Sequence, residues 1–128
     1  MTRAVLDASA ILAFLHGEPG ASVVEARLAD GVASAVNVAE AGARLSDWGM
    51  GEAEIRAAIT VLGIEIVPFD HTAAYASAAL RPITRGAGLS IGDRACLALA
   101  GQLAAPAVTA DRVWANLDTG IEIELIRE

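Results

Sequence analysis

The sequence predicts an α/β fold in which a parallel β-sheet carries helices on both faces. Segments with the pattern of strands alternate with segments of helical periodicity along all 128 residues. The first strand, Ala4–Leu6, is an unbroken apolar run, which is typical of a strand buried on both faces. No linker, repeat or low-complexity segment divides the chain. We therefore expect a single domain over residues 1–128.

The first half of the chain is predicted to contain two strands and three helices. These are the strand Ala4–Leu6, the helices Ile11–Leu15 and Ala21–Leu28, the strand Val32–Val36 and a helix that runs from Asn37 to Met50. Asn37 is a favourable helix-capping residue, and Val38, Ala41 and Leu45 follow it at a helical period. The Gly and Pro residues of segment 16–20 separate the first two helices.

The second half continues the alternation of helices and strands. Its predicted elements are the helix Glu52–Leu62, the strand Ile64–Phe69, a helix from Asp70 to Leu80, the helix Ser90–Leu103, the strand Pro106–Asp111, the helical turn Arg112–Asn116 and the strand Ile121–Ile126. Pro68 indicates an edge strand, and Pro82 is expected to stop or kink its helix. The glycines of Thr84–Leu89 predict a flexible loop.

Charge and composition limit the classes of function. The chain has 16 acidic and 9 basic residues, a net charge of −7, and all nine basic residues are arginine. This balance argues against a protein that coats nucleic acid through a broad basic face, but it allows a nuclease whose acids hold divalent cations. A hydrophobic content of 55% and a mean hydropathy of +0.50 predict a dry core or an apolar surface reserved for a partner.

The single cysteine, Cys96, excludes a disulfide framework and a cysteine metal cluster, which favours a reducing compartment. No apolar stretch reaches the roughly 18 residues that a membrane span needs, and the start lacks the pattern of a secretory signal. We therefore expect a soluble cytoplasmic protein without a membrane association. Cys96 itself is predicted to be a core residue.

Four acidic residues are predicted to meet at one edge of the sheet. Asp7 and Asp111 end strands, whereas Glu40 and Asp93 lie in the first turn of helices that follow a strand or its loop. In a parallel sheet these positions share the carboxyl edge, where α/β folds bind ligands. Each acid alone is equally explained as a helix cap. Four caps at one edge are less plausible than a shared purpose.

Carboxylates gathered in this way would raise one another's pKa values unless cations were present. Mg²⁺ and Mn²⁺ prefer such oxygen ligands, and they can activate a water molecule to attack a phosphodiester. His16 lies in a Gly/Pro turn and His71 at a helix start, so neither is placed to act as a general base. The four acids are therefore the favoured candidates for catalysis.

Four short motifs give the chain a resemblance to a known family. In chain order they are Leu6–Ser9, Asn37–Glu40, Leu89–Asp93 and Thr109–Trp114. Together they resemble a PIN domain, and more narrowly the VapC toxins of type II toxin–antitoxin systems. The resemblance implies a three-layer sandwich with a five-stranded parallel sheet of order 3-2-1-4-5. It also implies a Mg²⁺- or Mn²⁺-dependent endoribonuclease that cleaves tRNA or rRNA and is inhibited by a small VapB-like antitoxin.

The resemblance carries over to individual residues. It implies that the metal-binding and catalytic acids are Asp7, Glu40, Asp93 and Asp111. Ser9 and Thr109 match polar family positions beside the first and last acids, where they would orient carboxylates or water.

Three arginines near these acids are candidates for contacts with RNA phosphates, namely Arg44, Arg94 and Arg112. Arg44 lies one helical turn after Glu40, so an ordinary surface ion pair is the alternative. Trp114 is predicted to belong to the core rather than to stack on a base.

Rival interpretations depend on other residues. Receiver domains and haloacid dehalogenase-type phosphatases need a lysine beside the phosphoryl group, and this chain has none; the phosphatases also expect an aspartate where Ser9 stands.

A non-catalytic metal-binding or protein-interaction domain stays open. In either case Trp48 and Met50, near a helix-hairpin tip, are expected to dock a partner helix or a second copy, and we expect a homodimer.

Overall fold

The structure is a computed structural model that describes residues 3–128. Its centre is a sheet of five strands, all parallel, in the order β3-β2-β1-β4-β5. The strands are β1 Ala4–Leu6, β2 Gly31–Ser34, β3 Glu65–Val67, β4 Ala107–Thr109 and β5 Ile123–Leu125. The predicted strand direction and order are confirmed, and β1 lies at the centre of the sheet.

Helical segments lie between successive strands along the chain, and they pack on both faces of the sheet. The α-helices are α1 Ala8–Leu15, α2 Ala21–Glu25, α3 Ala35–Asp47, α4 Glu52–Val61, α5 His71–Ala79, α6 Arg81–Thr84 and α7 Ile91–Leu103. Short 3₁₀ turns occupy Leu28–Asp30, Arg85–Ala87 and Arg112–Asn116. In residues 3–128 none of the helices combines the length and the hydrophobicity that a membrane crossing requires.

The core consists of two apolar clusters on opposite faces of the sheet. Successive residues of a strand point to opposite faces, and Val5 and Leu6 of β1 accordingly belong to different clusters. Leu6 packs with residues of α1 such as Ile11. Val5 packs with Leu97 of α7 and with Trp114, which is fully buried. The predicted helices on both faces and the predicted core position of Trp114 are therefore confirmed.

The boundary between β2 and α3 differs from the prediction. The strand ends at Ser34 rather than Val36, and the Ser34 hydroxyl accepts a hydrogen bond from the Val36 amide at 3.2 Å. Asn37 is therefore not the cap, but a buried residue inside the first turn of the helix. Ser and Asn are comparable capping residues, and the apolar pair between them suits either a strand or a helix. The sequence alone does not separate these two registers.

The connection before α7 also differs from the prediction. The proposed loop over residues 84–89 contains the end of α6 and a 3₁₀ turn, and Thr84 is buried with its hydroxyl donating to the Leu80 carbonyl at 2.8 Å. Pro82 lies in the first turn of α6, where a residue without an N–H is tolerated. The helix that starts after Asp70 accordingly ends before Pro82, as expected.

Candidate active site

All four predicted acids line one cleft at the carboxyl edge of the sheet. Asp7 follows β1, Asp111 follows β4, Glu40 belongs to α3 and Asp93 belongs to α7. They border a cleft of about 300 Å³. We call this the acid cleft. The central position of β1 brings these residues together, because α7 packs beside β1 and α3 packs against both α7 and α1, the helix that follows β1.

Asp7 is the most buried of the four acids. One carboxylate oxygen, Oδ1, accepts hydrogen bonds from the Ser9 hydroxyl at 2.7 Å and the Ala10 amide at 2.9 Å. The other, Oδ2, accepts from the Thr109 hydroxyl at 2.6 Å. Burial raises the pKa of Asp7 to about 6; these hydrogen bonds oppose the rise, and the negative charge of Asp93 adds to it. Asp7 is therefore both a helix cap and a desolvated carboxyl group.

Ser9 and Thr109 connect the ends of the two central strands. The Thr109 hydroxyl accepts from the Asp111 amide at 3.0 Å, and the Ser9 hydroxyl accepts from the Ala110 amide at 2.9 Å. Each hydroxyl thus binds Asp7 on one side and the backbone after β4 on the other. This is the geometry that the predicted orienting role of Ser9 and Thr109 requires.

Glu40 is held by Asn37 and lies against Gly92, two residues to which the sequence assigned no part in the site. The Asn37 amide nitrogen donates to Glu40 Oε1 at 3.1 Å and to the Gly92 carbonyl at 3.1 Å, so it links α3 to α7. A Cβ atom at position 92 would overlap the Glu40 carboxylate. Burial raises the pKa of Glu40, the Asn37 hydrogen bond lowers it, and the charge of Asp93 raises it further.

Asp93 and Asp111 also take part in helix capping. Asp93 forms a capping box with Ser90, in which its Oδ2 accepts from the Ser90 amide at 2.9 Å. Asp111 Oδ1 accepts from the Val113 amide at 3.0 Å. Asp7 and Asp111 are therefore N-cap residues, Asp93 supports the N-cap Ser90, and all three line the acid cleft. The two explanations that the sequence left open are compatible with each other.

The donor set of the acid cleft suits a hard divalent cation. Its acidic oxygens and the Ser9 hydroxyl are the ligand types that Mg²⁺ and Mn²⁺ prefer, and neither histidine nor cysteine lines it. Within residues 3–128, however, no three Asp, Glu, His or Cys side chains are close enough to enclose one ion. This arrangement fits an ion that keeps several water ligands.

The three candidate arginines lie in different surroundings. Arg44 borders the acid cleft, and within residues 3–128 its side chain forms no ion pair with Glu40 or any other residue. Arg94 lies outside the cleft lining, and its guanidinium donates to the Leu89 carbonyl at 3.0 Å. Arg112 borders a neighbouring depression that shares Asp111 with the acid cleft. Contacts of these arginines with RNA stay a prediction.

The two histidines and the cysteine lie outside the acid cleft. His16 stacks on Trp48, and His71 is the first residue of α5. Cys96 is fully buried in α7, and burial raises the pKa of its thiol. The polar lining of the acid cleft therefore consists of four carboxylates and the Ser9 hydroxyl, with Arg44 as its cationic residue.

A family model for the PIN domain matches residues 4–120. The chain belongs to the PIN domain family. The family predicted from the four short motifs is thus confirmed. No curated protein sequence matches this PIN domain.

Solved structures of toxin–antitoxin systems share the fold of this PIN domain. A toxin–antitoxin complex from Klebsiella pneumoniae is 18% identical, with a TM-score of 0.75 and 98% of each chain covered. VapBC-5 from Mycobacterium tuberculosis is 27% identical, with a TM-score of 0.60 and both chains fully covered. VapBC2 from Rickettsia felis, bound to a promoter DNA fragment, is 17% identical, with a TM-score of 0.70 and 94% and 96% covered.

Proposed function

We propose that this PIN domain is the VapC-like toxin of a type II toxin–antitoxin system. In this proposal it is an endoribonuclease that uses Mg²⁺ or Mn²⁺ to hydrolyse RNA phosphodiester bonds with activated water. The observation that carries the proposal is the convergence of four carboxylates from α3, α7 and the ends of β1 and β4 in one cleft. Membership of the PIN family and the similar toxin–antitoxin structures support it.

Asp7, Glu40, Asp93 and Asp111 are the residues that would hold the cation. When bound, the cation lowers the pKa of a coordinated water and offsets negative charge on the phosphodiester. The hydroxyls of Ser9 and Thr109 fix the orientation of Asp7. Because burial raises the pKa of Asp7 to about 6, a cation that binds this carboxylate would compete with its proton.

We further propose a small VapB-like antitoxin as the partner, tRNA or rRNA as the substrate, a homodimer and a cytoplasmic location. The similar structures of VapBC systems support the antitoxin partner. An arginine of the antitoxin entering the acid cleft would compete with the cation for the same carboxylates. Inhibition would then fall as the Mg²⁺ concentration rises.

A second candidate is a metal-binding or protein-interaction domain without catalysis. The capping roles of Asp7, Asp93 and Asp111 favour it, because those carboxylates have a structural explanation. The two candidates differ in what replacement of one acid by its amide does. The side-chain oxygen of Asn accepts the same backbone hydrogen bond as the Asp carboxylate, so we expect the fold to stay intact while a metal ligand is lost.

The test compares Asp93→Asn with Asp70→Asn. Asp70 also caps a helix, with Oδ1 accepting from the Ala73 amide at 3.0 Å, but it lies outside the acid cleft. Purified proteins are incubated with total RNA in Mg²⁺ or in a chelator, and the new RNA ends are sequenced. We expect Asp93→Asn to lower the cleavage rate by about 100-fold or more and Asp70→Asn to leave it unchanged. Equal cleavage by both variants, or by wild type in the chelator, would contradict the proposal.

A further inference from the structure

A second depression, of about 400 Å³, adjoins the acid cleft. The two depressions share Ser9, Leu12 and Arg44. The remaining residues of the second depression are His16, Glu18, Trp48 and Arg127, and we call it the arginine–tryptophan groove. Any chain that enters the acid cleft from this side passes over these side chains.

The groove contains a rigid aromatic platform. The rings of His16 and Trp48 are stacked, with centroids 3.5 Å apart and planes 13° apart. The His16 side chain is only 9% exposed, whereas Trp48 is 60% exposed. His16 therefore supports one face of the Trp48 ring from inside the protein, and the other face is open to solvent. His16 Nε2 is buried and has no hydrogen-bond partner within residues 3–128.

Cationic groups lie on both sides of the acid cleft. Arg44 separates the acid cleft from the groove, and in the described part of the chain its guanidinium has no ion-pair partner. Arg127 lies farther along the groove, 3.5 Å from Glu18, and is one-third exposed. On the opposite side, Arg112 borders the depression that shares Asp111 with the acid cleft. A phosphate backbone crossing the acids would thus meet a guanidinium before and after them.

We propose that the arginine–tryptophan groove binds the nucleotide adjacent to the scissile phosphate of single-stranded RNA. The base stacks on the exposed face of Trp48, and the phosphate of the same nucleotide binds Arg44. This inference rests on the proposed nuclease function. An open aromatic face beside an uncommitted guanidinium is the combination that binds single-stranded nucleic acid. A docked apolar helix would instead need an aliphatic surface, and Leu12 is the sole aliphatic residue of the groove lining.

The two tryptophans of the chain make the inference testable by fluorescence. Trp114 is fully buried, so a base that contacts tryptophan quenches Trp48 alone. Binding of a short single-stranded RNA is measured in an Asp93→Asn background with Mg²⁺, by quenching and by the anisotropy of labelled RNA. Cleavage is measured with Asp93 intact. Tyr75→Ala is the matched control, because Tyr75 is a 77% exposed aromatic residue on α5 outside the groove.

We expect Trp48→Ala to weaken RNA binding about 5-fold or more, because one base–aromatic stack is lost. Trp48→Phe should keep most of the affinity and abolish the quenching. In cleavage, Trp48→Ala should raise KM and leave kcat within about twofold, since Trp48 lies away from the acids. Tyr75→Ala should match wild type in every measurement. Circular dichroism should show that Trp48→Ala is folded, because the side chain is exposed.

Three outcomes would overturn the inference. If Trp48→Ala binds and cleaves RNA as wild type does, the groove is not a nucleotide site, while the nuclease function stands. If Trp48→Ala loses only its complex with a co-expressed antitoxin, the groove is a protein-binding surface. If wild type neither binds nor cleaves RNA in Mg²⁺ or Mn²⁺, the proposed function fails and the nucleotide site fails with it.

Discussion

The aspartates that follow strands β1 and β3 both cap the next helix, but they lie in different environments. Asp7 follows the central strand β1, and its Oδ1 accepts from the amide three residues later at 2.9 Å. Asp70 follows the edge strand β3, and its Oδ1 makes the same local hydrogen bond at 3.0 Å. The two aspartates therefore make the same capping hydrogen bond.

The difference between them comes from the position of the strand in the sheet. Asp7 is 4% exposed and also accepts a hydrogen bond from Thr109, which lies on the neighbouring strand β4. Asp70 is exposed, and none of the four acids of the acid cleft lies beside it. A cap at the centre of a parallel sheet is therefore desolvated and brought close to other carboxylates. A cap beside the edge strand stays an ordinary capping residue.

The largest expected difference between these two aspartates is that Asp7 makes the free energy of unfolding depend on pH. Folding raises the pKa of Asp7 from 3.8 to about 6, so between these values the folded protein keeps a proton that the unfolded chain loses. The stabilisation that comes from this proton on Asp7 is complete below about pH 4 and is lost as the pH rises through about 6. The loss in the free energy of unfolding amounts to at most about 3 kcal/mol.

Denaturation in a chelator across this pH range measures the effect. The decline should be present in wild type and in Asp70→Asn, and it should be reduced in Asp7→Asn, which has no titratable group at that position. Saturating Mg²⁺ should restore stability above about pH 6, because the cation binds only the folded, deprotonated site. Parallel pH profiles for wild type and Asp7→Asn would show that Asp7 is not desolvated.

A smaller effect is expected where α3 and α7 meet. Gly92→Ala places a methyl group against the Glu40 carboxylate, which must then shift away from α7. Because alanine favours helices over glycine, the variant should stay folded while cleavage or Mn²⁺ affinity falls about 10- to 100-fold. Gly86→Ala is the control, since a Cβ there meets nothing within 4 Å. Wild-type Mn²⁺ affinity in Gly92→Ala, measured by calorimetry, would remove Glu40 from the ion's ligands.

The sequence was sufficient for the sheet and for the convergence of the four acids at its carboxyl edge, although Glu40 lies in the second turn of α3 and not in the first, because the helix starts at Ala35. Unbroken apolar runs such as Ala4–Leu6 mark buried strands, and strand–helix alternation predicts a parallel sheet whose strand ends share one edge. The family resemblance added the strand order. Asp7 and Asp111 were recognisable because each directly follows a strand pattern.

The remaining parts of the site depend on contacts between distant segments. Asn37 binds the carbonyl of Gly92, and the two residues are 55 positions apart. Asn37 resembles a helix cap in sequence, and Gly92 resembles a neutral residue of a helix start. The His16–Trp48 stack joins a turn to the end of α3 in the same way. Spacing along one element carries no information about such pairs, which is why they appeared only in the structure.

The smallest effect is expected at the edge strand. Asp70→Ala removes an exposed cap, so the free energy of unfolding should fall by about 1 kcal/mol, while RNA cleavage and Mn²⁺ affinity stay at wild-type values. Urea denaturation and calorimetry on the same samples measure both quantities. Asp70→Asn should recover the stability, because the amide oxygen still accepts from the Ala73 amide. A loss of Mn²⁺ affinity in Asp70→Ala would place this aspartate in the site and end the distinction between central and edge caps.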